Sequence, residues 1–338
     1  MVSYHLRNLR VMVYVAIIAF LAVVCMWAYK AMIGIRPRVR RPTLDTHALQ
    51  VIDALEPQLK AHIAALADEI GPRNVYAPHK LDAAAEYIRV FWEKAGYEVK
   101  AQTFSVENVP CQNLIVEIAG QSKPHEIVVV GAHYDTVSWA PGANDNGSAV
   151  AALLELSRLF STQTAGRTVR FVAFTNEEPP FFKTSSMGSL VYAKACQERK
   201  ENIVAMVCLE TIGYYRDEPK TQKYPVPFSF FYPDTGNFVA VVGNLSSKPL
   251  VKTFTRHFME ESDFPIECVA TFGFITGIDW SDQWSFWQCG YPAIMLTDTA
   301  LFRYPYYHTS EDTSDKINNH QLSRATYGFF KALVKMVE

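Results

Sequence analysis

The sequence predicts an α/β protein, a doubly wound and mostly parallel sheet flanked by helices and preceded by one N-terminal transmembrane helix. Three observations carry this. Short apolar runs at Ile127–Val130, Val169–Phe174, Ile203–Leu209 and Ala293–Leu296 have the length and composition of strands buried on both faces. Longer segments with apolar residues at helical spacing surround them. An uncharged, almost wholly apolar run of nineteen residues, Val11–Tyr29, stands near the N-terminus.

Residues 1–10 form a short basic tail carrying Arg7 and Arg10. Val11–Tyr29 approaches the ~20 residues a helix needs to cross a bilayer. It is long for a signal-peptide core, and no small-residue cleavage site follows before Lys30, so an uncleaved anchor is expected. Residues 30–45 form a basic stalk in which Arg36, Arg38, Arg40 and Arg41 would face anionic lipid headgroups. A positive-inside count of two basic residues before the span and five after it places the remainder in the cytoplasm. A short basic head followed by an apolar run is also how an exported signal anchor begins, and export is the orientation expected here.

Residues 46–338 are read as one domain, with nearly half of the sequence apolar and no repeats, low-complexity tracts or linkers. Leu49–Ile70 reads as an amphipathic helix stopped by Gly71-Pro72, and Leu81–Ala95 as a second ending at Gly96. Tyr97–Phe104 and Asn113–Ile118 read as strands leading to the first buried run. Lys248–Glu261 and His320–Val337 are further helices. The Pro- and aromatic-rich stretch Tyr215–Asn237 reads as a wall of the site that sets substrate preference.

Charge excludes one class of partner. Residues 1–41 hold seven Lys or Arg and no acid, which leaves 25 basic against 34 acidic residues in the remainder. A net of −9 is the wrong sign for phosphate recognition, so no nucleic acid is expected. Five cysteines lie in the domain without metal-type spacing, and their odd number excludes complete internal pairing.

The chemistry sits at strand ends. His133, Asp145, the Glu177-Glu178 pair, Glu210 and His308 occur in that order, each just after a buried run or in the loop that follows. Open α/β sheets collect their sites outside the carboxyl ends of the strands, so these positions converge on one edge. Zinc prefers imidazole nitrogen and carboxylate oxygen, and catalytic ions keep one position open. Two ions sharing Asp145 would take His133 with Glu210 on one side and Glu178 with His308 on the other. Plainer roles compete with these: Asp145 suits the N-cap of a helix from Asn146 to about Phe160, and Glu177-Glu178 before Pro179-Pro180 suits an exposed acidic turn. His5, His47, His62, His79, His125, His257 and His320 carry no such context and are assigned no role.

The segments Gly131-Ala132-His133-Tyr134-Asp135, Pro141 to Ser148, Asn176-Glu177-Glu178, Leu209 to Tyr214 and Tyr307-His308-Thr309 together resemble the successive motifs of the dinuclear zinc peptidases of the aminopeptidase and glutamate carboxypeptidase family. The resemblance runs from about Leu49 to the C-terminus. It implies a zinc aminopeptidase-like fold, two zinc ions per chain and hydrolysis of a peptide substrate. It makes His133, Asp145, Glu178, Glu210 and His308 the ligands, Asp135 the residue that orients His133, and Glu177 the general base. Tyr307 becomes the candidate for stabilising the oxyanion. Two positions depart from the family pattern: Glu210 stands where many members have Asp, and Gln283 follows Asp282 where an Asp-His pair is common.

The resulting expectation is a membrane-anchored zinc exopeptidase, most simply an aminopeptidase, working outside the cytoplasm as related enzymes commonly do. Two alternatives belong to other classes. A glutaminyl cyclase uses one zinc on nearly the same ligands, and a membrane-anchored binding domain needs no intact base.

Overall fold

The computed structural model describes the backbone from Val2 to Glu338 and the side chains of residues 12–30 and 32–338. Helix α1 spans Val2–Ala28 and passes into a π-helical turn at Tyr29–Ile33. Among the described residues no helix is long and apolar enough to cross a membrane. The side chain of Val11, where the predicted span begins, lies outside the described residues. The described apolar side chains of α1 run from Met12 to Ala28. The segment after it is not a free stalk. Ile35 is buried in the core of the domain, and Val39 and Leu44 pack against that core.

Asp45 caps α2 (Thr46–Ile63) by accepting from the amide of Ala48 at 2.8 Å. The helix continues as a π-helical turn to Ile70 and stops at Gly71, whose φ of 77° is the left-handed backbone that glycine adopts at little cost. Helix α3 (Pro78–Lys94) opens on a proline whose missing amide costs nothing in a first turn. Strands β1 (Lys100–Val106) and β2 (Val109–Ile118) form a hairpin whose two turn residues, Glu107 and Asn108, both have positive φ, which matches the twist of the paired strands. Then come β3 (Lys123–His133), α4 (Ala149–Phe160), β4 (Arg167–Phe174), α5 (Gly188–Glu198) and β5 (Asn202–Glu210). The last third holds β6 (Val239–Asn244), α6 (Lys248–Glu261), β7 (Ile266–Thr271), α7 (Gln283–Gln288), β8 (Ala293–Thr297) and α8 (Asn319–Val337).

The eight strands form one sheet in the order β1-β2-β4-β3-β5-β8-β6-β7. It is mixed, with parallel pairs in the majority. Strands β4, β3, β5 and β8 run parallel at the centre and β6 pairs parallel with β7 at one edge, whereas β1–β2, β2–β4 and β6–β8 pair antiparallel. The antiparallel pairs arise because a short hairpin feeds one side and β6 returns beside β8 on the other. Central registers align His133 with Phe174, Gly131 with Cys208, and Glu210 with Thr297, so the carboxyl ends of four strands finish level.

Both faces of this centre are covered. Val128, Val130 and Ala132 point into the layer that contains α2, α4 and α8, while Ile127 and Val129 point into the layer of α5 and α7. This alternation explains why the strands read as unbroken apolar runs. A Cβ at Gly131 would lie 2.3 Å from the Phe174 ring, so only glycine lets that ring close against the end of β3.

Candidate active site

His133 ends β3, Glu210 ends β5, and Glu177 and Glu178 follow β4 after two residues. Asp145 lies in a π-helical turn, Ala143–Ser148, and His308 in the loop beyond β8. The α-helix begins at Ala149 rather than Asn146, and the Asp145 side chain accepts no helix amide, so the capping role does not apply. Residues next to these positions adopt left-handed backbone although none is glycine: Asn176 at φ 57° and Thr211 at 41°, with His308 itself at 56°. Such conformations persist only where surrounding bonds over-determine them.

Those bonds come largely from residues to which the sequence assigned no individual role. The carboxylate of Asp312 accepts from the amides of Asn144 and Asp145 at 2.8 and 3.1 Å and from the Tyr304 hydroxyl at 2.7 Å. The Asn146 side chain accepts from the Thr211 amide at 2.8 Å and donates to the Leu209 carbonyl at 3.0 Å, which ties the Asp145 loop to the end of β5. Arg73, with no exposed surface, donates to the carbonyls of Leu66, Gly71, Tyr134, Pro141 and Gly142. Gly142, at φ 69°, makes the turn possible, since a Cβ there would lie 2.5 Å from the Asp145 carbonyl oxygen. Nearby, the indole of Trp139 donates to the His308 carbonyl at 2.8 Å, and Tyr307 stacks on the His308 ring at 3.9 Å between centroids.

Among the described residues, three donor groups gather within 4.8 Å: His133 with Asp145 and Glu210, Asp145 with Glu178 and His308, and His133 with Glu177 and Glu178. In the first group His133 Nε2 lies 3.2 Å from Glu210 Oε2 and 3.5 Å from Asp145 Oδ1. In the second, His308 Nε2 lies 3.0 Å from Asp145 Oδ2 and 3.1 Å from Glu178 Oε2. Zinc bonds of about 2.0–2.2 Å at tetrahedral angles set neighbouring donors about 3.3–3.6 Å apart; the first group stands close to that spacing and the second a few tenths of an ångström inside it, so a small outward shift lets each hold one ion. Glu177 Oε2 stands farther from His133 Nε2, at 3.8 Å.

The 3.0 Å contact between His308 and Asp145 has the distance of an ion pair, yet both atoms are buried without a correctly aligned hydrogen bond, as is Glu178 Oε1. Donor atoms that are close but misaligned for each other suit a shared third centre better than a mutual bond. Charge points the same way. Burial, with Asp145 beside it, pushes the Glu178 carboxyl up to about 8, and burial with neighbouring acids pushes Asp282 up to about 7. Glu177 rises well above the carboxylate range through burial and through Glu178, Glu210 and Asp282, against the pull of His133. A buried group of carboxylates on this scale calls for cations.

Asp135 does more than the sequence suggested. Its two carboxylate oxygens accept from the amides of Glu177 and Glu178, both at 3.1 Å. Its carboxylate stands 3.5 Å from His133 Nδ1, whereas its own carbonyl lies at 3.2 Å, so backbone and side chain both orient the imidazole and leave Nε2 facing the cluster. Glu210 is held by the Ser281 hydroxyl at 2.5 Å. Gln283 donates from its side chain to the Ile278 carbonyl at 3.0 Å and so supports the loop below the site.

A cavity of about 100 Å³ opens beside Glu210 and Tyr307. Tyr224, Phe228 and Tyr232 of the predicted wall line it, together with Phe238, Ile278 and Met295. Burial and the surrounding carboxylates push the Tyr307 hydroxyl well above the usual phenol range and hold it in its protonated form.

The fold and this donor set define a metal-dependent peptidase. The chain belongs to peptidase family M28, whose model matches residues 113–333. It is 37% identical over 285 residues to the uncharacterised Escherichia coli protein YfbL, a match covering 82% of this chain and 87% of that one. A shorter stretch of 87 residues is 39% identical to the aminopeptidase YwaD of Bacillus subtilis, covering 25% of this chain and 18% of that enzyme. The fold is that of BSAP, a zinc aminopeptidase from Bacillus subtilis, with a TM-score of 0.66 at 17% identity over 84% of this chain and 95% of that one.

Proposed function

We propose that this peptidase is a zinc-dependent aminopeptidase that binds two zinc ions per chain. The observation that carries the reading is the pair of donor groups sharing Asp145, with Glu177 beside them and an apolar cavity opening next to Glu210. His133, Asp145 and Glu210 would hold one ion, and Asp145, Glu178 and His308 the other. Bound zinc supplies Lewis acidity, which polarises the scissile carbonyl and makes water acidic enough to attack near neutral pH.

The chain's own groups do the rest. Glu177, kept off the ligand distances and high in proton affinity, takes the proton of the attacking water and returns it to the leaving amine. Asp135 fixes both Glu177 and His133, so base and ligand move as one unit. The protonated Tyr307 hydroxyl suits donation to the oxygen that gains charge at the carbonyl. The cavity accepts the first side chain of a peptide and favours a large apolar one.

The test is elemental analysis of the purified chain alongside assays on aminoacyl, carboxypeptidase and N-terminal glutaminyl substrates. Two zinc ions with aminoacyl turnover abolished by chelator is the expected result. One zinc ion with cyclisation of glutaminyl peptides would replace the reading by the cyclase, and activity indifferent to chelators would end it.

We also propose that α1 attaches the domain, residues 46–338, to a membrane on the side away from the cytoplasm. The support is the row of exposed apolar side chains along the helix, with Met12, Phe20 and Trp27 each about two-thirds exposed. Protease added to sealed, outward-facing cells should digest the domain; protection until lysis would reverse the orientation.

A further inference from the structure

The segment after α1 runs beside the cavity. Tyr29 packs on Phe231 at 5.3 Å between centroids, the Met32 sulfur meets the Thr271 hydroxyl at 3.2 Å, and Ile35 is buried. Between these contacts Arg36 Nη1 donates to Glu267 Oε1 at 2.5 Å. Arg41 donates to the Asp263 carbonyl at 3.1 Å just before β7. Residues 29–41 therefore brace the outer strand of the sheet.

Glu267 belongs to that strand and also lines the cavity. Apart from Glu210, which lies in the donor cluster, it is the one charged residue among those lining the cavity. A carboxylate with 17% of its side chain exposed, in a wall made mainly of apolar and aromatic side chains, needs a cation, and Arg36 provides it from outside the wall. The pocket presents an apolar interior only while that charge is matched.

We propose that Arg36 sets the selectivity of this cavity by masking Glu267, so that the cavity takes an apolar first side chain, and that without Arg36 the same cavity takes a lysine or arginine side chain. The proposal rests on the aminopeptidase reading for its location of the substrate's first residue. The physical basis is exchange of one cation for another: a substrate ammonium or guanidinium entering the cavity would supply the charge that Arg36 otherwise gives. A close, partly buried charge pair couples strongly enough to change a preference about tenfold or more.

The experiment uses the full chain in detergent, loaded with zinc, as wild type, R36M, R36K, E267Q and the R36M/E267Q double variant. Two readouts are taken: kcat/KM for phenylalanyl and lysyl p-nitroanilides, and calorimetric Kd values for phenylalaninamide and lysinamide. R36M should raise the lysyl-to-phenylalanyl ratio about tenfold or more, R36K should stay near wild type, and the double variant should lose the gain. An unchanged ratio in R36M overturns the proposal. So does a gain that survives in the double variant, because it would then come from looser packing and not from the Glu267 charge. Binding preferences that shift as expected in a chain with no turnover would uphold the role of Arg36 while refuting the aminopeptidase reading.

Discussion

Replacing Arg73 by methionine keeps a long stem in the core and deletes the guanidinium that five carbonyls share. Those carbonyls belong to the turn ending at Gly71 and to the loop from Tyr134 to Gly142, so the side chain joins the start of the domain to the loop that leads into Asp145. Each bond from a charged donor contributes about 1.5–3 kcal/mol in isolation. Five do not add, because water and relaxation recover part of the loss, and removing one buried charged partner costs about 3–5 kcal/mol in practice. For a domain of this size that is a fall in Tm of about 5–8 °C. Lysine cannot reproduce a planar fork, so Arg73→Lys should recover only part of the loss. Because the loop also carries Asp135 and leads into Asp145, zinc affinity should fall about 10- to 100-fold, the usual effect of removing a group that supports ligands. Urea unfolding of the chelated protein gives the first quantity, and competition with a zinc chelator gives the second. A stability loss under about 1 kcal/mol with unchanged zinc affinity would refute the view that Arg73 holds the site together.

The two adjacent glutamates should fail differently: Glu177→Gln keeps zinc and fold but lowers kcat about 10²–10⁴-fold, whereas Glu178→Ala lowers zinc content and thermal stability together. Steady-state kinetics beside elemental analysis separates them, and the opposite pattern would exchange their roles. Glu201 would be raised by burial, yet bonds from Arg170 and Arg199 hold it down to about 2. Because the folded value lies below the unfolded one, its contribution is complete above about pH 4.5 and is lost as pH falls toward 2. Arg170→Met should therefore lower stability at neutral pH and flatten its fall over that acid range, as followed by urea midpoints at several pH values.

Much of the site was readable because its donors stand at the ends of strands that announce themselves. The runs ending at His133, Phe174 and Glu210 are unbroken apolar segments, and a strand end is where an α/β sheet places its chemistry. Strands β6 and β7 escaped the reading: Val239–Asn244 runs out into Gly243-Asn244, and Glu267 interrupts Ile266–Thr271, so neither reads as an unbroken apolar run that ends at a candidate donor. With them went the antiparallel return beside β8 that makes the sheet mixed. Arg73, Asn146, Asp298 and Asp312 escaped for another reason. Asp298 accepts from the Asn144 side chain and from the Tyr214 amide, and Asp312 from the Asn144 and Asp145 amides, partners more than eighty positions away. A polar side chain acquires such a role only from a tertiary neighbour that the linear sequence does not mark. The docking of residues 29–41 is not legible because Ile35 and Val39 stand singly among arginines, with no apolar periodicity to mark a buried face.

The distance between His133 and Asp312 along the chain has a consequence for how the protein is made. Donors at 133, 145, 178 and 210 leave the ribosome well before His308, and the Asp145 loop is not pinned until Asp312 bonds its amides. Contacts this remote in sequence form late, after the sheet between them has assembled. A nascent chain, or a fragment cut before residue 308, would lack the complete second donor group and the Asp312 clamp. Hydrolytic capacity would then arrive only with the finished domain, which would protect the synthesising cell from a half-made protease.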